Sequence, residues 1–174
     1  MTKGRDYLLD TNILGPLAEL KADGRSLESQ VFKKHWEAHG DAKFFLCPIT
    51  IGEVEYGLRV GPYDQQEKHE VARKTLSAFP LLDINANVAC NHYAVLRARL
   101  FNLCAPREKK KRDHYNKRIE EWKDPTTAKT LQIQENDLWI ASVAMAHNLI
   151  LVTRDKMEAI KKVAGTELFI ENWL

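Results

Sequence analysis

The sequence has few of the residues that mark fibrous, disulfide-rich or disordered proteins. Its 174 residues include three Cys, eight Gly and six Pro, which excludes collagen-like and disulfide-scaffold compositions. No apolar run approaches the roughly 20 residues that a membrane-spanning helix needs, and the run Tyr7-Leu8-Leu9 is too short for the core of a signal peptide. A hydrophobic fraction of 44% is enough to form one core, so we expect a single domain over residues 1–174. Because the apolar runs are too short for a membrane span or a signal peptide, we expect it to be cytoplasmic with no membrane association.

Net charge is also scarce, because 26 Lys and Arg residues face 24 Asp and Glu residues. The total of +2 conceals a segment from Pro106 to Lys123 with eight basic and four acidic residues, a net charge of +4. The composition therefore neither indicates nor excludes a polyanionic partner. The cysteines form no Cys-x-x-Cys pair and have apolar neighbours, which predicts buried, reduced thiols at Cys47, Cys90 and Cys104.

Short apolar runs alternate with longer segments of helical periodicity, which predicts an α/β protein. The strands read as continuous apolar runs, as is typical of a parallel sheet buried on both faces. We expect strands at 7–9, 44–47, 81–84, 149–152 and 168–170. We expect helices around 13–20, 31–36, 51–58, 65–79, 88–103, 138–146 and 157–163.

Four carboxylates recur at junctions between strands and helices: Asp10, Glu53, Asp137 and Asp155. In an open parallel sheet, ligands bind beyond the carboxyl ends of the strands, so these side chains can converge there. Their mutual repulsion and burial would raise their pKa values unless a cation neutralised them. An all-oxygen site suits Mg²⁺ or Mn²⁺ better than Zn²⁺.

Each of these acids also has a purely structural interpretation. Asp10, Asp137 and Asp155 could cap helix N-termini, and Thr50 with Glu53 has the spacing of a capping box. The sequence leaves both interpretations open for each residue taken alone.

Taken together, the acids and their neighbours resemble the four acidic motifs of PIN-domain ribonucleases, and the VapC toxins of bacterial toxin–antitoxin pairs are the nearest match. The resemblance spans nearly the whole chain. The motifs read Leu8-Leu9-Asp10-Thr11-Asn12, Thr50-x-x-Glu53, Asn136-Asp137-Leu138-Trp139-Ile140-Ala141 and Leu151-Val152-Thr153-Arg154-Asp155-Lys156. One departure is Met157, where family members often carry an aromatic residue.

This resemblance implies a three-layer α/β fold, with a central and mainly parallel sheet flanked by helices. The chain departs from compact VapC toxins by extra residues, and the helical spacing of Tyr115, Ile119 and Trp122 predicts a basic helical insertion near 105–134. The resemblance also implies an Mg²⁺- or Mn²⁺-dependent endoribonuclease, with RNA as substrate, a small VapB-like antitoxin as partner and a homodimeric assembly. Alternatives within the family are a nuclease acting in RNA processing or on DNA, or a catalytically silent binding module. The catalytic and metal-holding residues would be Asp10, Glu53, Asp137 and Asp155, supported by Thr11, Asn12 and Thr153.

The insertion carries a cationic run of Lys109, Lys110, Lys111 and Arg112. These residues could steer RNA phosphates toward the acids. They could instead be the solvated face of a helical arm that Tyr115, Ile119 and Trp122 dock onto the core, or a contact with an antitoxin or a second subunit.

His35 and His39 have the i, i+4 spacing of zinc ligands on a helix. The metalloprotease motif requires Glu after the first His, where this chain has Trp36, and no third ligand is evident. We therefore predict a solvated helix face rather than a zinc site.

Overall fold

The computed structural model describes residues 6–22, 24–61, 66–104 and 117–174. Four short parallel strands form its sheet, in the order β2-β1-β3-β4. The strands are β1 (Tyr7–Leu9), β2 (Phe44–Phe45), β3 (Ile150–Val152) and β4 (Phe169–Glu171). Leu9 pairs with Val152, so β1 and β3 end side by side at the centre of the sheet.

Helices connect the strands, as the alternation of apolar runs predicts. They are α1 (Thr11–Ala22), α2 (Leu27–Ala38), α3 (Pro48–Val60), α4 (Gln66–Leu76), α5 (Ala94–Cys104), α6 (Glu135–Ala146) and α7 (Glu158–Ala164). A π-helical segment (Val88–Tyr93) leads directly into α5, and 3-10 turns lie at Ile119–Glu121 and Gly165–Glu167. Within the described ranges, no helix is long and apolar enough to cross a membrane.

The sheet separates two hydrophobic cores because successive strand side chains point to opposite faces. Leu8 lies in the core that α5, α6 and α7 cover, together with Leu100 and Leu138. Leu9 lies in the opposite core, together with Leu17 of α1 and Phe32 of α2. Helices therefore cover both faces, which confirms the predicted three-layer α/β fold.

The predictions of a strand at 81–84 and of a buried Cys90 were wrong. The expected strand at 81–84 is reduced to one parallel bridge between Leu81 and Leu46, at the open edge of β2. Cys90 is exposed, whereas Cys47 and Cys104 are buried as expected. Cys90 belongs to the π-helical segment that buries Val88, so its apolar neighbours in sequence do not share its side of the helix.

The predicted helical insertion at 105–134 can be compared with the structure only in part, because Tyr115 and the four residues from Lys109 to Arg112 lie outside the described residues. From 117 to 134 the only helix is the 3-10 turn. The side chain of Asp124 accepts hydrogen bonds from the N–H groups of Thr126 and Thr127, at 2.8 and 2.9 Å, and this local turn replaces the helix. Ile119 and Trp122 are buried, as the docked-arm interpretation requires.

The two histidines of α2 contact the C-terminal tryptophan. The rings of His35 and His39 stack on Trp173, with centroid distances of 5.5 and 5.2 Å. Both are half-buried, so the predicted solvated face was wrong. In the part of the chain that the structure describes, no third ligand joins them in a metal site.

Candidate active site

The central strands place Asp10 and Thr153 next to each other. Asp10 follows β1 and donates from its backbone N–H to the carbonyl oxygen of Val152 at 3.0 Å. The Thr153 hydroxyl donates to Asp10 Oδ2 at 2.6 Å, and the N–H of Thr11 donates to Oδ1 at 2.7 Å. Asp10 is only 4% exposed, so these donors compensate for the water that its carboxylate has lost.

Asn12 connects this centre to the loop after β3. Its Nδ2 donates to Thr153 Oγ1 at 3.1 Å and to Asp155 Oδ2 at 3.0 Å. Its Oδ1 accepts from the N–H of Arg154 at 3.0 Å. The side chain of Asp155 is therefore oriented by a residue of α1, although Asp155 itself is exposed.

Glu53 reaches the same region from α3. Asn136 donates from Nδ2 to Glu53 Oε1 at 2.6 Å, and the Thr11 hydroxyl donates to Oε2. The alternative interpretation of Thr50 and Glu53 as a capping box was wrong, because α3 begins at Pro48 and has Cys47 as its N-cap. Thr50 is instead buried inside the first turn, with its hydroxyl 3.4 Å from Cys47 Sγ.

Asp137 is the third residue of α6, where it accepts a hydrogen bond from the N–H of Gln134 at 2.7 Å. The N-cap of α6 is Gln134 rather than Asp137, and Asp137 is the N3 partner that accepts from the N-cap N–H in a capping box. This contact does not compete with a role in the site, since Asp137 lines the same cleft as the other three acids.

The site is strongly anionic, and the pKa values of Asp10 and Asp137 are raised within it. Burial raises the pKa of Asp137 to about 6, and repulsion from Asp10, Asp155 and Glu53 adds to this shift. Burial also raises the pKa of Asp10, against the lowering effect of the hydrogen bonds from Thr153 and Thr11. A cation bound among these groups would relieve both the repulsion and the cost of desolvation.

The acids surround an open cleft of about 860 Å³. Among its described lining residues there is no Lys, Arg or His, and the guanidinium of Arg154 pairs with Glu28 at 2.9 Å. The lining residues are Asp10, Thr11, Asn12, Glu53, Tyr56, Glu120, Gln132, Ile133, Gln134, Asn136, Asp137 and Asp155.

The oxygen donors of this cleft fit a hard divalent ion such as Mg²⁺ or Mn²⁺. Each of the four acids also has a protein donor that orients its carboxylate. Within residues 6–22, 24–61, 66–104 and 117–174, however, no three His, Cys, Asp or Glu side chains lie in the geometry of a preformed metal site. The cleft therefore suits a divalent cation by its oxygen donors and its negative charge.

Six lining residues of the cleft had no role assigned from the sequence, and three of them have a position or contact that explains their presence. Asn136 stands inside a motif but was not recognised as the partner of Glu53. Tyr56 follows Glu53 by one helical turn, and this spacing could have placed both on one face of α3. Glu120 lies in the insertion and lines the cleft, and the buried apolar residues Ile119 and Trp122 beside it were the available signal.

Comparison with known proteins agrees with this architecture. The sequence matches the PIN domain family over residues 7–165. The chain therefore belongs to the PIN-domain family, a family of nucleases. No curated protein matches the sequence significantly.

Several solved toxin–antitoxin structures have a similar fold. VapBC2 from Rickettsia felis, bound to a promoter DNA fragment, is 23% identical with a TM-score of 0.63 and covers 97% of this chain and 98% of its own. DNA-bound VapBC from Salmonella typhimurium is 18% identical with a TM-score of 0.62, covering 98% and 100%. VapBC-1 from nontypeable Haemophilus influenzae is 20% identical with a TM-score of 0.61, covering 96% and 97%. These similarities establish the shared fold.

Proposed function

We propose that this PIN domain is an Mg²⁺- or Mn²⁺-dependent endoribonuclease and the toxin of a toxin–antitoxin pair. The observation that carries the proposal is the cleft in which Asp10, Glu53, Asp137 and Asp155 meet without a cationic side chain among the described lining residues. The raised pKa values of Asp10 and Asp137 mean that their ionised forms destabilise the metal-free protein, and perturbed carboxylates in a cleft are typical of catalytic sites.

A bound divalent cation would polarise a phosphoryl oxygen and lower the pKa of a water molecule. The chain supplies the orientation of the donors. Thr153 and the N–H of Thr11 hold both oxygens of Asp10, while Thr11 and Asn136 hold both oxygens of Glu53. Fixed donors of this kind lower the cost of reorganisation during the reaction. Without a counter-ion the same cleft would repel a phosphodiester.

RNA is the proposed substrate on the strength of the family motifs. The cationic residues Lys109, Lys110, Lys111 and Arg112 stand in the same insertion that brings Glu120 to the cleft. We assign them the role of phosphate contacts that raise the rate and affinity of RNA binding at low salt. Replacing all four with Ala should weaken binding and make its salt dependence shallower, whereas unchanged cleavage at every ionic strength would remove this role.

The proposed partner is a small VapB-like antitoxin, and the proposed assembly is a homodimer in the cytoplasm. Support comes from the VapBC complexes that share the fold. Measuring the mass of the purified protein by light scattering, alone and after coexpression with the adjacent small reading frame, tests both parts. A monomer would contradict the homodimer, and failure of the coexpressed protein to bind or inhibit would contradict the antitoxin pairing.

The deciding experiment compares cleavage of RNA and DNA in Mg²⁺, in Mn²⁺ and in excess EDTA. We expect RNA cleavage that EDTA abolishes and that Asp137→Asn eliminates. Glu37→Gln is the matched control, since it removes an exposed carboxylate of α2 outside the cleft. Cleavage of DNA alone would favour the DNA nuclease, and a folded wild-type protein that cuts neither would favour the silent binding module. Activity that persists in EDTA would contradict the metal dependence.

A further inference from the structure

We propose that Tyr56 is a substrate-binding residue that stacks on a nucleobase beside the phosphate to be cleaved, and that the hollow next to Tyr56 holds that base. This inference rests on the proposed ribonuclease function and assigns one part of the RNA-binding site. Nothing in the motifs of the sequence marks Tyr56 for it.

The position of Tyr56 is the first argument. Tyr56 lies one turn after Glu53 on α3, and it lines both the acidic cleft and a smaller hollow beside the cleft. Its side chain is 69% exposed, so one face of the ring is available to a ligand. Proteins bind single-stranded RNA by stacking its bases on aromatic rings placed next to the path of the backbone.

The hollow itself is the second argument. It has a volume of about 360 Å³ and is lined by Pro48, Ile49, Gly52, Glu53, Tyr56 and Asn136. Gly52 is one of the lining residues, and a Cβ added there would meet no atom within 4 Å, so a larger side chain at this position has room to extend. Apolar and aromatic walls with a small number of polar groups are typical of sites for planar organic ligands.

Continuity with the cleft identifies the ligand. Glu53, Tyr56 and Asn136 line both spaces, so a group bound in the hollow lies next to one bound among the acids. Asn136 donates from Nδ2 to Glu53, which leaves its carbonyl oxygen as the acceptor for an exocyclic amino group of a base. A phosphate at the acids and a base in the hollow are neighbouring parts of one nucleic acid strand.

Two independent changes test the assignment through KM and kcat on a short oligoribonucleotide. Tyr56→Ala removes the ring and should raise KM about tenfold, the effect of one lost stacking contact, with kcat nearly unchanged. Tyr56→Trp should keep KM near the wild-type value. Gly52→Leu fills the hollow while Tyr56 stays in place, and it should also raise KM.

Matched controls lie on the same helix. Gly57→Leu makes the same change outside both spaces, at a position where a Cβ meets no atom within 4 Å. Val60→Ala trims another exposed side chain of α3, one turn beyond Tyr56. Both controls should leave KM unchanged. An abasic nucleotide at the position that contacts Tyr56 should raise KM for the wild type but not for Tyr56→Ala.

The outcomes separate this assignment from the proposed function. If the wild type cleaves RNA while Tyr56→Ala and Gly52→Leu keep its KM, the assignment is wrong and the ribonuclease function stands. A change confined to antitoxin affinity or dimer mass would make Tyr56 a protein contact and also overturn the assignment. If the wild type neither binds nor cleaves RNA, the proposed function fails and the assignment fails with it.

Discussion

Thr153 donates a hydrogen bond to Asp10 across 2.6 Å, from the end of one central strand to the end of its neighbour. The same hydroxyl accepts from the N–H of Asp155 at 3.0 Å and from Asn12 Nδ2 at 3.1 Å. One donor and two acceptor positions are all that a hydroxyl offers. The buried hydroxyl of Thr153 therefore connects three of the cleft's residues, Asp10, Asn12 and Asp155.

Replacing Thr153 with Val tests this connection. Thr153→Val keeps the shape of the side chain but removes the hydroxyl that donates to Asp10. Since this hydrogen bond lowers the pKa of Asp10, that pKa should rise further in the variant. We expect a loss of about 1–3 kcal/mol in the free energy of unfolding and a marked fall in cleavage at neutral pH. Thr153→Ser retains the hydroxyl and should restore most of both losses. Equal damage in the Val and Ser variants would contradict the role of the hydroxyl.

Asn136 should act on metal binding through Glu53. Asn136→Ala removes the 2.6 Å hydrogen bond that holds Glu53 Oε1. Loss of a group that orients a metal ligand lowers affinity by about 10- to 100-fold, and the Mg²⁺ concentration needed for half-maximal cleavage should rise accordingly. Asn91→Ala removes an exposed amide that binds Asn87 and is the control. An unchanged Mg²⁺ requirement in Asn136→Ala would separate Glu53 from the metal.

The order of strands and helices could be predicted because each element has a local pattern, either a continuous apolar run or a helical spacing of apolar residues. The apolar runs around Leu8 and Leu151 indicate buried parallel strands. Because β1 and β3 are parallel, the acids that follow them lie at the same edge of the sheet. Asp137 could be placed in the first turn of α6 from the sequence, and the structure has it there, as the N3 partner of a capping box and as a lining residue of the cleft.

The remaining features depend on contacts between distant segments. Glu120 reaches the cleft only through the docking of Ile119 and Trp122, which no local pattern specifies. His35 and His39 were misjudged because Trp173, the residue that covers them, lies at the other end of the chain. Helical spacing across 117–134 was overridden by the turn at Asp124.

Trp173 should be important for stability rather than for cleavage. It is 1% exposed, and its ring lies 5.6 Å from that of Phe32 and 5.1 Å from that of Tyr7. Trp173→Ala should cost about 3–5 kcal/mol of unfolding free energy, measured by urea denaturation. Leu27→Ala changes a side chain that is 76% exposed and should cost little. A small loss in Trp173→Ala would mean that the C-terminal segment contributes little to this core.

Asp137 should make the metal-free protein less stable as the pH rises. Its pKa is about 6 in the folded protein and 3.8 as the reference for the unfolded chain, chiefly because the carboxyl is buried. Between these values the folded state holds a proton that the unfolded state has lost. The contribution of Asp137 to stability is therefore fully present below about pH 4 and is lost as the pH rises through 6.

Asp137→Asn cannot ionise, so it should escape this loss. In EDTA at pH 7.5 we expect it to exceed the wild type by about 1–2 kcal/mol of unfolding free energy, a value discounted because the carboxylate is only partly buried. At pH 4 the difference should disappear, while Glu37→Gln should match the wild type at both pH values. Mg²⁺ should then stabilise the wild type more than Asp137→Asn, because the ion binds the charged carboxylate. A stability gain that stays constant from pH 4 to 7.5 would show that the substitution acts through packing and not through the charge of the cleft.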